Sequence, residues 1–196
     1  MNGAGVFGSD PSADIVSLKV LDQNGVGTTY DVLEAVAYAK TNHIPVINMS
    51  FGGTGNPVGN AVCDAITDAK NNGIITVVSA GNGNADAMNT IPAACPDAIT
   101  VGAVDGNNAK ASFSNYGSSV DVYAPGTDIY TTALNNGYTT QNGTSFSAPL
   151  VTGLVAKELA YNSGITYDTL VSDIENNYNL ATSSSLGNTT SISSGS

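Results

Sequence analysis

A serine at the start of an apolar segment is the first feature of this chain that could perform covalent chemistry. Ser145 follows Gly143-Thr144 and begins a run of mostly small and apolar residues, 145–161, that predicts a buried helix. A hydroxyl in the first turn of a helix lies beside unpaired backbone N–H groups and the positive end of the helix dipole. Such donors could stabilise the oxyanion that forms when the serine attacks a carbonyl. Serine is also common at helix starts, and the local pattern alone favours this simpler interpretation.

The segments that precede Ser145 predict alternating strands and helices. Apolar runs at 15–21, 45–49 and 74–79 have the length of buried strands, and 29–40 and 58–70 carry apolar residues at helical spacing. Short alternation of this kind predicts right-handed crossovers, and therefore an α/β fold with a parallel twisted sheet and helices on both faces. Further strands are predicted at 99–104, 120–124, 129–134 and 137–141, and a surface helix at 166–177.

Glycine-containing segments follow the first three predicted strands. In an open parallel sheet, ligands bind at the carboxyl ends of the strands. The segments 25–27, 50–53 and 80–83 stand there, and they lack bulky charged side chains. The backbone of an extended ligand could therefore lie against them.

Several motifs, in chain order, resemble those of the subtilisin-like serine proteases. Residues 143–149, GTSFSAP, resemble the nucleophile motif, 46–53 the substrate-cleft strand, and 80–82 the segment with the oxyanion-hole asparagine. Residues 112–117 and 123–126 also resemble family motifs, and the stretch from Asn82 to Ser145 is most similar to the proteinase K branch. The resemblance extends from Met1 to about residue 160. It implies the subtilisin-like version of the α/β fold.

The resemblance also implies roles for individual residues. Ser145 would be the nucleophile, and the Asn82 side chain would form the oxyanion hole together with the Ser145 backbone N–H. A peptide or protein substrate would bind as an added strand between two cleft segments, which are Gly25, Val26 and Gly27 on one side and Ser50, Phe51 and Gly52 on the other. The residues implied to line the pocket before the scissile bond are Ser79, Ala80 and Gly81.

A structural calcium site is implied by the proteinase K pattern. Its ligands would be the Asp121 carboxylate and the carbonyl oxygens of Pro96 and Ala98, because calcium prefers hard oxygen ligands. A carboxylate that is merely solvated or caps a turn is an equal alternative for Asp121. A second calcium loop of the family is matched only in part, by Asn2, Ala4 and Val6.

The catalytic base of the family has no counterpart in this sequence. These proteases use Asp, His and Ser in that chain order, and the Asp and His motifs precede the segment that matches Met1. The single histidine, His43, lies in a predicted link at the amino end of the sheet, and Lys157 is about 18 Å along the helix from Ser145. We therefore expect a C-terminal part of a catalytic domain that lacks the N-terminal segment and is nearly inactive alone.

Two other functions remain open at this stage. The chain could be a non-catalytic homologue that binds peptides in an intact cleft, or a structural domain without a ligand. Retention of both Ser145 and Asn82 favours the protease over a pure binding protein. The cleft glycines count against the structural domain.

Composition and the family resemblance limit which binding partners and which cellular compartment are expected. A net charge of -11 argues against nucleic acid, and no apolar run approaches the roughly 20 residues that cross a membrane. The resemblance implies an extracellular protein, although residues 1–12 show no signal-peptide pattern. Cys63 and Cys95 predict either free thiols or a single disulfide. We expect residues 1–180 to form the partial domain and 181–196, rich in Ser, Thr and Asn, to be a flexible tail.

Overall fold

The computed structural model describes residues 5–178. In chain order its helices and strands are α1 (Thr29–Thr41), β1 (Val46–Met49), β2 (Gly53–Thr54), α2 (Ala61–Asn71), β3 (Ile75–Ser79), a short 3₁₀ turn (Ala87–Asn89), β4 (Thr90–Ile91), β5 (Ala98–Val104), β6 (Val122–Pro125), β7 (Ile129–Ala133), β8 (Gly137–Gln141), α3 (Thr144–Tyr161) and α4 (Tyr167–Tyr178). The predicted tail at 181–196 lies outside the described residues, as do Asn2 and Ala4. None of the helices in the described part of the chain has both the length and the apolar character to cross a membrane.

The centre of the fold is a parallel sheet of four strands in the order β1-β3-β5-β6. Val46 pairs with Ile75, and Val101 pairs with Val122. Every residue of β3 and β5 is buried, as expected for parallel strands that are covered on both faces. The predicted α/β fold with a parallel sheet is therefore confirmed.

Helices cover both faces of this sheet. Val36 of α1 and Ile66 of α2 belong to one core cluster, whereas Val151 of α3 and Leu170 of α4 belong to a second cluster on the opposite face. Helix α1 begins as predicted, because Thr28 forms a capping box with Asp31.

Helix α2 begins three residues later than the sequence predicted. The Asn60 side chain accepts the Val62 N–H and caps the helix there. Gly59 lies just before this cap with a φ of +67°, which is outside the helical region. The segment 58–60 is therefore a turn that leads into the helix.

The two cysteines form a disulfide. Cys63 of α2 and Cys95, in the loop before β5, are both buried, and their Cα atoms are 5.0 Å apart. Of the two alternatives left open by the sequence, the single bridge is the one that the structure contains.

The predicted strand at 15–21 is wrong. This segment forms no strand, and most of its apolar side chains are exposed, with Ile15 at 89% and Val16 at 52%; Val20 alone among them packs against a core cluster. A strand exists only through hydrogen bonds to a neighbour, and none of the strands among residues 5–178 pairs with this segment. The segment therefore has the composition of a strand but no neighbouring strand among residues 5–178 to pair with.

Candidate active site

Ser145 lies where the chain enters helix α3 after an unusual glycine. Gly143 has φ +156° and ψ 151°, a combination open essentially only to glycine, and its N–H donates to the Gly126 carbonyl at 2.8 Å. The helix starts at the next residue, so Ser145 is in the first turn, where backbone N–H groups lack partners within the helix. The Ser145 hydroxyl is partly buried and donates to the Ser50 carbonyl at 3.1 Å. The serine thus sits at the carboxyl end of β1, beside donors that suit an oxyanion.

Asn82 is held against the same helix start by Thr144. Its side-chain oxygen Oδ1 accepts hydrogen bonds from both the backbone N–H and the hydroxyl of Thr144, each at 2.9 Å. The Thr144 hydroxyl in turn accepts the Gly81 N–H at 3.1 Å. Thr144 is fully buried and Asn82 is exposed. Because Oδ1 is engaged by Thr144, the amide Nδ2 is the end of Asn82 that can donate to a ligand.

The first predicted wall of the cleft, Ser50 to Gly52, follows β1 and leads directly into a small antiparallel sheet that supports it. Gly53 and Thr54 pair antiparallel with Ile91 and Thr90 in the small β2–β4 sheet. A Cβ placed on Gly52 would lie 3.1 Å from the Ile91 carbonyl oxygen, so the backbones approach closely at this glycine. These contacts fix the backbone of 50–54, against which an extended peptide could lie.

The second predicted wall, Gly25 to Gly27, is an exposed turn held by an aspartate. Asp22 Oδ1 accepts the N–H groups of Asn24 and Val26 at 2.8 and 2.9 Å. These backbone hydrogen bonds, the one from Val26 above all, hold the pKa of Asp22 below its usual value. The Val26 side chain is 64% exposed, which leaves this wall open to a ligand.

The residues predicted to line the pocket end strand β3. Ser79 and Ala80 are 4% and 0% exposed, so their side chains belong to the interior. A ligand in this pocket would therefore meet mainly backbone atoms here.

The predicted calcium ligands lie around the start of β5. One oxygen of the Asp121 carboxylate accepts the Thr100 N–H at 2.7 Å, which aims this side chain at β5. Ala98 is two residues earlier on the strand, roughly 6–7 Å away at the usual rise. Among residues 5–178, no group of three or more His, Cys, Asp or Glu side chains is placed to hold a metal.

The basic side chains of the described residues lie away from Ser145. His43 is exposed in the link before β1, seven residues from Ser50 and about 23 Å away along an extended chain. Burial lowers the pKa of Lys110, which would favour a role as a base, but its Nζ donates to Asn84, Ala111 and Ser114. The other lysines have contacts elsewhere: Lys19 with Leu21, Lys40 with Asp68, Lys70 with Asp97, and Lys157 beside Asp10.

Two residues with a part in this geometry received no role from sequence reasoning. Thr144 belongs to the nucleophile motif, but its contact with Asn82 joins positions 62 residues apart. Asn115 lies in the motif 112–117 and contacts the loop around Asn82 from 30 to 35 residues away. Both residues lie within motifs that the sequence analysis identified. A sequence pattern does not show, however, which distant loop a side chain contacts.

The chain resembles subtilisin-like proteases in both sequence and structure. The profile of the Subtilase family, Peptidase S8, matches residues 1–191. The chain is 38% identical to subtilisin DY of Bacillus licheniformis over 189 residues, which is 95% of this chain and 66% of that protein. It is 40% identical over 163 residues to a cuticle-degrading serine protease of Arthrobotrys oligospora, covering 81% of this chain and 39% of the relative. A solved structure among the proteases from Pseudoalteromonas arctica matches with a TM-score of 0.86 and 31% identity, over 94% of this chain and 62% of the other.

The chain spans between 39% and 66% of the length of these two curated relatives. The family match nevertheless covers nearly all of the present residues, including Ser145, Asn82 and the segments predicted to form the two cleft walls. The chain therefore belongs to the subtilase family of subtilisin-type serine proteases.

Proposed function

We propose that these residues supply the nucleophile, the oxyanion hole and the substrate cleft of a serine endopeptidase, and that the general base comes from polypeptide outside them. Ser145 Oγ attacks the peptide carbonyl carbon and its proton passes to that base, while Asn82 Nδ2 and the Ser145 N–H stabilise the oxyanion. The C–N bond then breaks, the amine leaves with the proton from the base, and water hydrolyses the acyl-enzyme that remains. The single observation that carries this proposal is the pair of hydrogen bonds from the Thr144 N–H and hydroxyl to Asn82 Oδ1. They leave Asn82 Nδ2 available next to the Ser145 end of the helix.

The missing base is the reason to place part of the catalytic machinery elsewhere. Without an acceptor for its proton, a serine hydroxyl is a weak nucleophile. His43 and the five lysines lie at other places in the fold, as described above. In subtilisin itself, loss of the histidine lowers turnover about a millionfold, a magnitude that we take over from that relative. The present chain alone is therefore expected to be nearly inactive.

A groove beside β1 supports an additional segment of polypeptide. Strand β1 pairs with β3 on one side, and no other strand among residues 5–178 occupies its second edge. Along that edge runs a groove of about 570 Å³, lined by the segment 13–18, by β1 and by helices α1 and α3. Its walls are largely apolar and include Ile15, Val36 and Ile47. An open apolar edge of a parallel sheet is a site for one more strand.

Two elements that line this groove are incompletely covered, namely the segment 15–21 and helix α3. The strand-like segment 15–21 forms its outer wall and has no partner in the described residues. Helix α3 is apolar around most of its circumference, but Thr152, Gly153 and Ala156 face the groove and are only half-buried. A helix of that composition is normally covered on all sides. One inserted strand from the N-terminal part of the same domain would cover both elements.

Calcium and secretion complete the proposal. Asp121, with the carbonyls of Pro96 and Ala98, would hold a calcium ion that connects the start of β5 to the start of β6. The ion would contribute stability and take part in no catalytic step.

The buried Cys63–Cys95 disulfide is typical of an oxidising compartment and supports an extracellular protein. The pattern from Asn82 to Ser145 favours the proteinase K branch.

The test is to supply the additional polypeptide that this proposal requires. The polypeptide encoded upstream of Met1 in the same reading frame is co-expressed with the chain, and hydrolysis of a chromogenic peptide is measured for the wild type and for Ser145→Ala. We expect cleavage only in the presence of the additional polypeptide, and its loss in Ser145→Ala.

Two results would contradict the proposal. Strong hydrolysis by the 196-residue chain alone, abolished by Ser145→Ala, would show that its own residues include a base. A folded complex that binds the peptide without cleaving it would favour a non-catalytic peptide-binding homologue.

A further inference from the structure

The loop that carries Asn82 has little regular structure of its own. Residues 80–85 run from the end of β3 to an isolated bridge at Asp86, and the loop includes two residues with positive φ, Gly81 at +100° and Asn84 at +48°. Thr144 fixes the side-chain oxygen of Asn82, as described above, but it reaches the loop backbone only at Gly81. The backbone on the far side of Asn82 therefore needs a second anchor if the amide is to keep one position.

The Asn115 side chain provides that anchor on both sides of Asn82. Asn115 is 3% exposed. Its Oδ1 accepts the N–H groups of Gly83 and Ala85 at 2.9 and 3.0 Å. Its Nδ2 donates to the Ala80 carbonyl at 2.8 Å, just before the loop. One buried amide thus bridges the residues that flank Asn82.

Backbone contacts from the same segment reinforce the bridge. The Asn115 N–H donates to the Gly81 carbonyl at 2.9 Å, and the Asn84 N–H donates to the Phe113 carbonyl at 2.8 Å. A Cβ on Gly81 would lie 2.5 Å from Asn115 Nδ2, so glycine is needed at that position for the amide to fit. The two segments are therefore in close contact at Gly81.

The chemistry of the contacts requires a carboxamide. Two backbone N–H groups need an acceptor and the Ala80 carbonyl needs a donor, and a single planar amide offers both. Alanine offers neither. A buried polar network of this kind is rigid only when every member is satisfied.

We propose that Asn115 is a positioning residue for the oxyanion hole, which acts by holding the loop 80–85 so that Asn82 Nδ2 faces the oxyanion formed at Ser145. The inference rests on the proposed function, because it assigns to Asn115 a role in the site built by Ser145 and Asn82. Asn115 itself touches neither the substrate nor the reacting atoms.

The test uses a ligand that forms a tetrahedral adduct without a general base. A peptidyl boronic acid accepts the Ser145 hydroxyl oxygen at boron, the hydroxyl proton passes to the buffer, and a boronate oxygen occupies the oxyanion hole. The matched peptide amide fills the same cleft but forms no adduct. Dividing the affinity of the boronic acid by that of the amide isolates stabilisation of the adduct from the general quality of the cleft, and ¹¹B NMR identifies tetrahedral boron.

We expect the wild-type 196-residue chain to favour the boronic acid and Ser145→Ala to lose the preference. Asn82→Ala and Asn115→Ala should each lower the affinity ratio about tenfold or more, because a donor in such a hole is worth roughly that or more. The control is Asn72→Ala, which removes a side-chain hydrogen bond to the Asp68 carbonyl at the end of α2, just before β3 and so at the amino end of the sheet, and should leave the ratio unchanged.

The possible failures are distinguishable. If the wild type shows neither a preference nor tetrahedral boron, the proposed function is wrong and the role of Asn115 falls with it. If Asn82→Ala lowers the ratio but folded Asn115→Ala does not, the inference on Asn115 is wrong and the proposed function stands. Should Asn115→Ala not fold, Asn115→Ser, which keeps a small polar group, decides the question by the same ratio.

Discussion

The Cys63–Cys95 disulfide closes a loop with a sequence separation of 32 residues, and its removal has a calculable effect. Closing a loop of this length lowers the entropy of the unfolded chain by about 12 cal/mol/K, which corresponds to about 3.7 kcal/mol at room temperature. For a chain of this size, each kcal/mol changes the melting temperature by about 2–4 °C. We therefore expect reduction to lower the melting temperature by about 7–15 °C.

The assay is thermal unfolding followed by circular dichroism, with and without dithiothreitol. The variant Cys63→Ala/Cys95→Ala is the matched control, because it has no bridge and should melt at the same temperature under both conditions. Thiol titration establishes that the bridge is reduced in the wild type. A wild-type melting temperature that stays within about 2 °C after complete reduction would refute the loop-entropy argument.

Three further predictions concern stability. Asn60→Ala should lower the free energy of unfolding by about 1 kcal/mol in urea titrations, because it removes the cap of α2, and an unchanged urea midpoint would contradict this role. Hydrogen bonds from Lys70 and then Thr67 lower the pKa of Asp97, so their contribution is present above the unfolded pKa, near 4, and is lost as the pH falls through the folded value. Asp97→Asn should thus be about 1 kcal/mol less stable near neutral pH, and the deficit should shrink in acid; a deficit independent of pH would exclude this cause. A chelator should lower the melting temperature of the wild type and leave that of Asp121→Asn unchanged, and equal responses of both proteins would count against the calcium site.

The elements that sequence could predict are those with local signals. Helix α1 carries apolar residues at helical spacing behind the Thr28 cap, and β3 is a short, mostly apolar run. The strand at 15–21 could not be judged in this way, since a strand depends on hydrogen bonds to a neighbour elsewhere in the fold. The pairing of the two-residue strands β2 and β4 is likewise a long-range event without a local pattern.

The candidate site shows the same division. Ser145 and Asn82 were found through motifs, and their roles are predictions that the experiments above address. The hydrogen bonds of Thr144 to Asn82 and of Asn115 to the residues beside it appear only once the chain is folded. These contacts join positions 30 to 62 residues apart, and sequence spacing carries no information about them.

The most direct measurement is the ratio of the hydrolysis rates of the isolated 196-residue chain and its Ser145→Ala variant on one chromogenic peptide. If the proton acceptor of Ser145 lies on other polypeptide, the hydroxyl contributes little by itself, and we predict a ratio within about tenfold of unity. A ratio of about a thousand or more, with both proteins equally folded, would mean that a base within these residues activates the serine.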